Sequence, residues 1–276
     1  MIKDVMVRLD GTTADEARLA AAGSISEMFE GHVIGLFLNL MPLVLPTDGD
    51  SASAVLAAEL FDKAREAGDK TEAALVQRLA RLNKPVTIRR FDVFNDTIGD
   101  IASREARSAD TFITYTLKPN GRAKDPDHLV EGILFGSGRH LFLIADKRPV
   151  TPGFEHVLIA WNGSRESTRA LAEAMPYLHR AKSVTVVVVD EEPRVEGSAL
   201  LGSEAIEHLR HHGIDAELHH VSSRDVAGAL IKEARRSKAD LIVMGGYGHS
   251  RMREWLLGGA TYDLLRHAPV PLVIAH

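Results

Sequence analysis

Three observations predict an α/β fold made of two repeats, each an open five-stranded parallel sheet with helices on both faces. The first is length, since 276 residues at ~100–200 residues per domain favour two domains. The second is internal repetition. Residues 4–20, DVMVRLDGTTADEARLA, lie over 156–172, HVLIAWNGSRESTRALA, at an offset of 152 residues. IGDIASREARSAD (98–110) matches VAGALIKEARRSKAD (226–240), and LFGSG (134–138) stands beside LLGGA (256–260). Three matches in the same order point to a duplication, with repeats at 1–146 and 154–276. The segment 147–153 contains Pro149, Pro152 and Gly153 and reads as an exposed linker. The third observation is the alternation of strand and helix periods.

The second repeat shows that alternation most clearly. HVLIAW (156–161) is a short apolar run stopping at a turn, the pattern of a buried strand. Ser164 to Arg180 reads as a helix. SVTVVVVD (183–190) is the clearest strand, because five of its eight residues are valine and one is threonine. Leu201 to His212 is a helix closed by Gly213, and IDAELHHVS (214–222) alternates as a half-exposed edge strand does. Arg224 to Lys238 is a helix, ADLIVMG (239–245) a buried strand, Gly259 to His267 a short helix and VPLVIA (270–275) a last strand. Such an order calls for a parallel sheet with right-handed crossovers. The first repeat follows it less cleanly, with Pro42, Pro46 and Gly49 before its second helix and a polar loop at 118–128. Its stretch after Gly138 is so brief that its final helix is expected to be short or missing.

Composition removes several function classes. Lys and Arg total 33 against 38 for Asp and Glu, a net charge of -5 that argues against a broad nucleic-acid or anionic-membrane surface. Cysteine is absent, which excludes disulfides, thiolate metal sites and cysteine nucleophiles and is compatible with a reducing compartment. The segment MIKDVMVRLDG carries Lys3 and Asp4 where a signal peptide requires apolar residues, and no run reaches the ~18 apolar residues of a membrane span. The expected location is cytoplasmic.

In open parallel sheets ligands bind beyond the carboxyl ends of the strands, where the winding reverses. After ADLIVMG come Gly245-Gly246-Tyr247-Gly248-His249-Ser250, then Arg251 to Leu257, then Gly258-Gly259-Ala260-Thr261. Glycines 245, 248 and 258 give G-x2-G-x9-G. Lacking Cβ, they let backbone N–H groups approach an anion, and the second cluster opens a helix whose free N–H groups face the same place. Together they form a phosphate cradle, to which Thr261 adds a hydroxyl and His249 and Arg251 add donors. The plainer alternative is that these glycines only turn the chain. Neither G-x-x-x-x-G-K-[ST] nor G-x-G-x-x-G is present.

The run MGGYGHSRMREWLLGGATYDLLRHAPVPLVIAH (244–276) resembles the C-terminal signature of the universal stress protein family, and the duplication resembles its tandem subclass. The resemblance implies two Rossmann-like repeats packed about a pseudo-twofold axis. It also implies an adenine nucleotide site, in which Gly245, Gly248, Gly258 and Gly259 face the phosphates with Thr261. His249 and Ala260 lie in the same stretch. Ala160, Trp161, Asn162 and Val189 would approach adenine and ribose, and Met244 the base. Two departures stand out: Gly259 replaces the Ser or Thr of ATP-binding members, and Asn162 replaces their Asp. At ~0.5–1.5 kcal/mol per hydrogen bond, the two losses together weaken binding by about ten- to a hundredfold. In the first repeat Asp10 keeps the acid and Gly136-Ser137 a glycine–hydroxyl pair, but TFITYTLKPNGRAK lacks G-x2-G. That repeat is expected to bind no nucleotide in the family's manner and to serve as a pairing partner.

His208, His211, His212, His219 and His220 crowd a short stretch that reads either as a metal site or as a solvated face. Glu191-Glu192 reads as a cation site or a solvated loop. G-x-S-x-G and H-E-x-x-H are absent. The leading reading is a non-catalytic stress-response regulator that binds ATP or AMP, with or without Mg2+, in its second repeat. Pairing of HLFLIA with VPLVIA would join the repeats as an internal pseudo-dimer, either a monomer or a further homodimer, acting on a protein partner. Two alternatives are a slow ATPase, with His249 or Glu254 positioning water, and an interaction module without nucleotide.

Overall fold

A computed structural model describes residues 1–43, 51–116, 128–145, 150, 153–190, 201–246 and 259–276. The first repeat runs β1 (Asp4–Leu9), α1 (Asp15–Phe29), β2 (His32–Leu40), α2 (Ser51–Ala80), β3 (Val86–Val93), α3 (Ile98–Ala106), β4 (Thr111–Tyr115), α4 (His128–Gly136) and β5 (Leu141–Ile144). The second runs β6 (Phe154–Ala160), α5 (Arg165–Leu178), β7 (Ala181–Asp190), α6 (Ser203–His211), β8 (Ala216–Ser222), α7 (Val226–Arg236), β9 (Leu241–Gly245), α8 (Ala260–His267) and β10 (Leu272–Ala275). Each valine- and isoleucine-rich run forms a strand, and the polar alternation of β8 places it at an edge.

Within each repeat the strands are parallel. The two sheets do not stay separate: β5 and β10 pair antiparallel, with Leu272 opposite Leu143, Val273 opposite Phe142 and Ile274 opposite Leu141. The result is one ten-stranded sheet, β3-β2-β1-β4-β5-β10-β9-β6-β7-β8, symmetric about that seam. Each apolar strand end is thus covered by its counterpart. Two cores flank the sheet. One packs α1, α2, α5 and α6 against Phe142 and Val273, and the other packs α3, α4, α7 and α8 against Leu141, Leu143, Leu272 and Ile274. Because side chains alternate across a strand, the seam supplies both cores.

The repeat correspondence has a structural signature. Asp110 Oδ2 accepts the N–H groups of Lys3 and Asp4 at 2.7 and 3.0 Å. Asp240, its counterpart, accepts those of Glu155 at 2.8 Å and His156 at 3.2 Å. One expectation is overturned. The final helix of the first repeat is present as α4, nine residues long, and LFGSG closes it, whereas Gly259 opens α8. The third sequence match therefore aligned a helix end with a helix start. Ser137 Oγ donates to Ile133 O at 2.6 Å within that closing turn, so Gly136-Ser137 caps α4 and does not stand where Gly258-Gly259 stands. Of the linker, only Val150 and Gly153 lie among the described residues.

Candidate functional site

From β6 the chain winds outward to β7 and β8, then returns to β9 and β10 on the other side. The winding therefore reverses between β6 and β9, at whose carboxyl ends a crevice is expected. Ala160 and Met244 are register partners there. The next residue, Trp161, donates its backbone N–H to Val187 O at 2.9 Å; its indole Nε1 is buried with no partner among the described residues. Asn162 is exposed, and its Oδ1 accepts the N–H of Ser164 at 3.1 Å. Ser164 caps α5 by accepting the N–H of Ser167 at 3.1 Å. Val189, near the end of β7, is half-buried.

Gly245 has a packing reason to be glycine. A Cβ at this position would lie 2.5 Å from both Glu166 C and Ser167 N, because the first turn of α5 rests on the end of β9. The neighbouring Gly246 donates to Ala275 O at 2.8 Å and its carbonyl faces His276 Nδ1 at 2.9 Å. Leu134 of the first repeat approaches it as well: a Cβ would meet Leu134 Cδ2 at 3.2 Å. On the other side of the motif, Gly259 is the N-cap of α8, extended at φ -106, ψ 155. It is exposed, and among the described residues no side chain caps the helix there and an added Cβ meets nothing within 4 Å.

The structure thus brings Ala160, Trp161, Met244 and Gly245 to one edge, with Asn162 and Val189 at the ends of β6 and β7, and sets Gly259, Ala260 and Thr261 at the start of α8. Gly248, His249 and Gly258, with Arg251 and Glu254, lie outside the described residues. Sequence reading missed Glu166. Buried in the first turn of α5, its carboxyl is held below its ordinary range by its own backbone N–H, against burial, and then by Ser164 and Arg165. An acid in a helix's first turn was the available signal.

The histidines do not converge. His208 and His212 meet edge to face at 4.6 Å between ring centres. His219 lies between Glu233 at 3.1 Å and Glu217 at 3.3 Å. His220 points to the other face, 3.2 Å from Asp190. Among the described residues no group of three or more His, Asp or Glu could hold a metal ion; Glu191-Glu192 lies outside them. Nor, among these residues, is any helix long and apolar enough to cross a membrane.

The sequence profile of the Universal stress protein family matches residues 153–276. Two universal stress proteins of Mycobacterium tuberculosis strains are 28% identical over 142 residues, 45% of this chain and 97% of each relative. Over its whole length the chain is similar in fold to a universal stress protein from Archaeoglobus fulgidus, at 16% identity and TM-score 0.76, covering 99% of this chain and 95% of the other. A Pseudomonas aeruginosa protein of unknown function gives 16% identity and TM-score 0.61, covering 99% and 92%.

Proposed function

We propose, from the premise that the chain belongs to the universal stress protein family through its second repeat, that this repeat binds an adenine nucleotide and acts as a non-catalytic, ligand-dependent regulator. The observation that carries the reading is a helix start at Gly259 with no side-chain cap among the described residues, together with a glycine strand end at Gly245-Gly246 where the winding reverses. Anions favour such helix starts. The residues present suit the ligand in two further ways. Trp161 offers a buried donor with no partner among the described residues, and Ala160, Met244 and Val189 offer apolar surface to a base. Because Glu166 already places a negative charge in the first turn of α5, the phosphates belong at α8 and the nucleoside towards β6. Backbone N–H groups of α8 and the Thr261 hydroxyl would hold the phosphates; bound Mg2+ would shield their charge.

Calorimetric titration of the full chain with ATP and AMP tests this. Saturable binding of at least one of them is expected, abolished by Gly258→Asp, which sets a carboxylate beside the helix start. No heat with either nucleotide, or undiminished binding by the variant, contradicts the reading.

A further inference from the structure

The first repeat fills with its own side chains the place that corresponds to the candidate site. At the repeat offset Asp10 corresponds to Asn162, Asp15 to Ser167 and Arg18 to Ala170. Tyr115, the last residue of β4, corresponds to Gly245, the last residue of β9. Where Gly245 lets the α5 backbone close onto the strand, Tyr115 instead sends its hydroxyl to Ala14 O at 2.5 Å, and its ring lies 5.2 Å from Arg18 Cζ. Arg18 heads the fully buried side chains by size, at 1% exposure. Its Nη2 meets Asp10 at 2.7 Å and also the carboxylate of Asp15. Asp15 is itself fully buried and accepts the N–H groups of Asp10 at 3.2 Å and Gly11 at 2.8 Å. From α2, Arg78 reaches Asp15 at 3.2 Å and Thr12 O at 3.1 Å.

Burying a guanidinium is costly unless its charge and N–H groups are met. Here two carboxylates take the charge and an aromatic ring covers the face, the chemistry by which guanidinium ions are recognised. The Nε of Arg18 stays buried with no partner among the described residues, so the fork is held by its Nη2 end. Against the upward pull of burial, Arg18 and Thr12 hold the Asp10 carboxyl down at about 2.

We propose that this place in the first repeat is a guanidinium-binding site, occupied in cis by Arg18, and that the ligand class it takes is a guanidinium cation and not an anionic nucleotide. The two repeats then present opposite charge at corresponding points. Guanidinium recognition at this place does not depend on nucleotide binding by the second repeat.

Arg18→Ala vacates the place. Melting of the full chain is followed with methylguanidinium, methylammonium or sodium chloride added at millimolar concentration. The variant is expected to melt about 10 °C below the parent. Methylguanidinium alone of the three is expected to return about 3 °C, with no effect on the parent. Equal recovery with methylammonium, or none with any salt, overturns the proposal; so does a second equivalent of ATP bound by the variant beyond what the parent binds. Should Arg18→Ala fail to fold, Arg18→Lys keeps the charge without the planar fork. A clear loss of melting temperature is expected for it, and a lysine variant as stable as the parent overturns the assignment.

Discussion

At Gly259 the backbone is extended and no described residue comes within 4 Å of the missing Cβ, so the backbone there accepts serine. Gly259→Ser would add a hydroxyl at the start of α8. About one hydrogen bond is at stake, so nucleotide affinity is expected to rise by up to about tenfold, with helix stability changing by only a few tenths of a kcal/mol. Titration of both proteins with ATP checks it; equal affinity would show that α8 does not touch phosphate. Glu233 sets a pH dependence of known sign. Arg236, against burial, and then His219 lower its carboxyl from 4.5 to about 2. A depressed carboxyl stabilises the fold above its unfolded value and loses that contribution as pH falls towards 2. Arg236 is exposed to solvent, which screens the pair. Urea unfolding at pH 6 and near pH 2 should therefore show Glu233→Gln modestly destabilised at the first and level with the parent at the second. Of the glycine motif, the strand end at Gly245 and the helix start at Gly259 were legible from their spacing. The plug at Arg18 was not, since Asp15 and Arg18 three apart on a helix look like a solvated pair until Tyr115 and Asp10 are brought to them.

The seam between β5 and β10 was legible as two apolar runs, HLFLIA and VPLVIA, each needing a cover. What the runs could not reveal is the polar link beside them. His140, 1% exposed, lies 2.9 Å from Glu173 and 3.0 Å from the hydroxyl of Tyr177, both on α5 of the other repeat. Tyr177 OH also reaches Thr111 Oγ1 at 3.1 Å. Tyr177→Phe keeps the ring packing on Phe29 and Phe142 but leaves buried polar partners unmet, at about 1–3 kcal/mol. A melting temperature lower by a few degrees is expected; an unchanged value would mean the hydroxyl carries no stability across the seam. Helix α4 was misread because an apolar–glycine string looks the same whether it opens a helix or ends one. Only the distance from the helix to its strand separates the two cases, and the polar stretch before α4 hid its start.

Across the whole molecule, both cores run through the seam, so neither repeat is complete alone. The outer edges are blunted differently: β3 carries Arg89, Arg90 and Asp92, and β8 carries Glu217, His219 and His220. Residues 154–276 produced alone would bare the apolar edge of β10, and sedimentation should find them self-associated; a monomeric second repeat would contradict a seam that needs a partner. The duplication was readable from repeated sequence, whereas the unlike character of the two strand ends emerged only when Tyr115 and Gly245 were seen to hold corresponding positions. Native mass spectrometry of the full chain in ATP or AMP weighs that asymmetry directly. A mass increase of one nucleotide per chain, lost on Gly258→Asp, is the expected result, and either an unliganded chain at saturating nucleotide or two nucleotides per chain would contradict it.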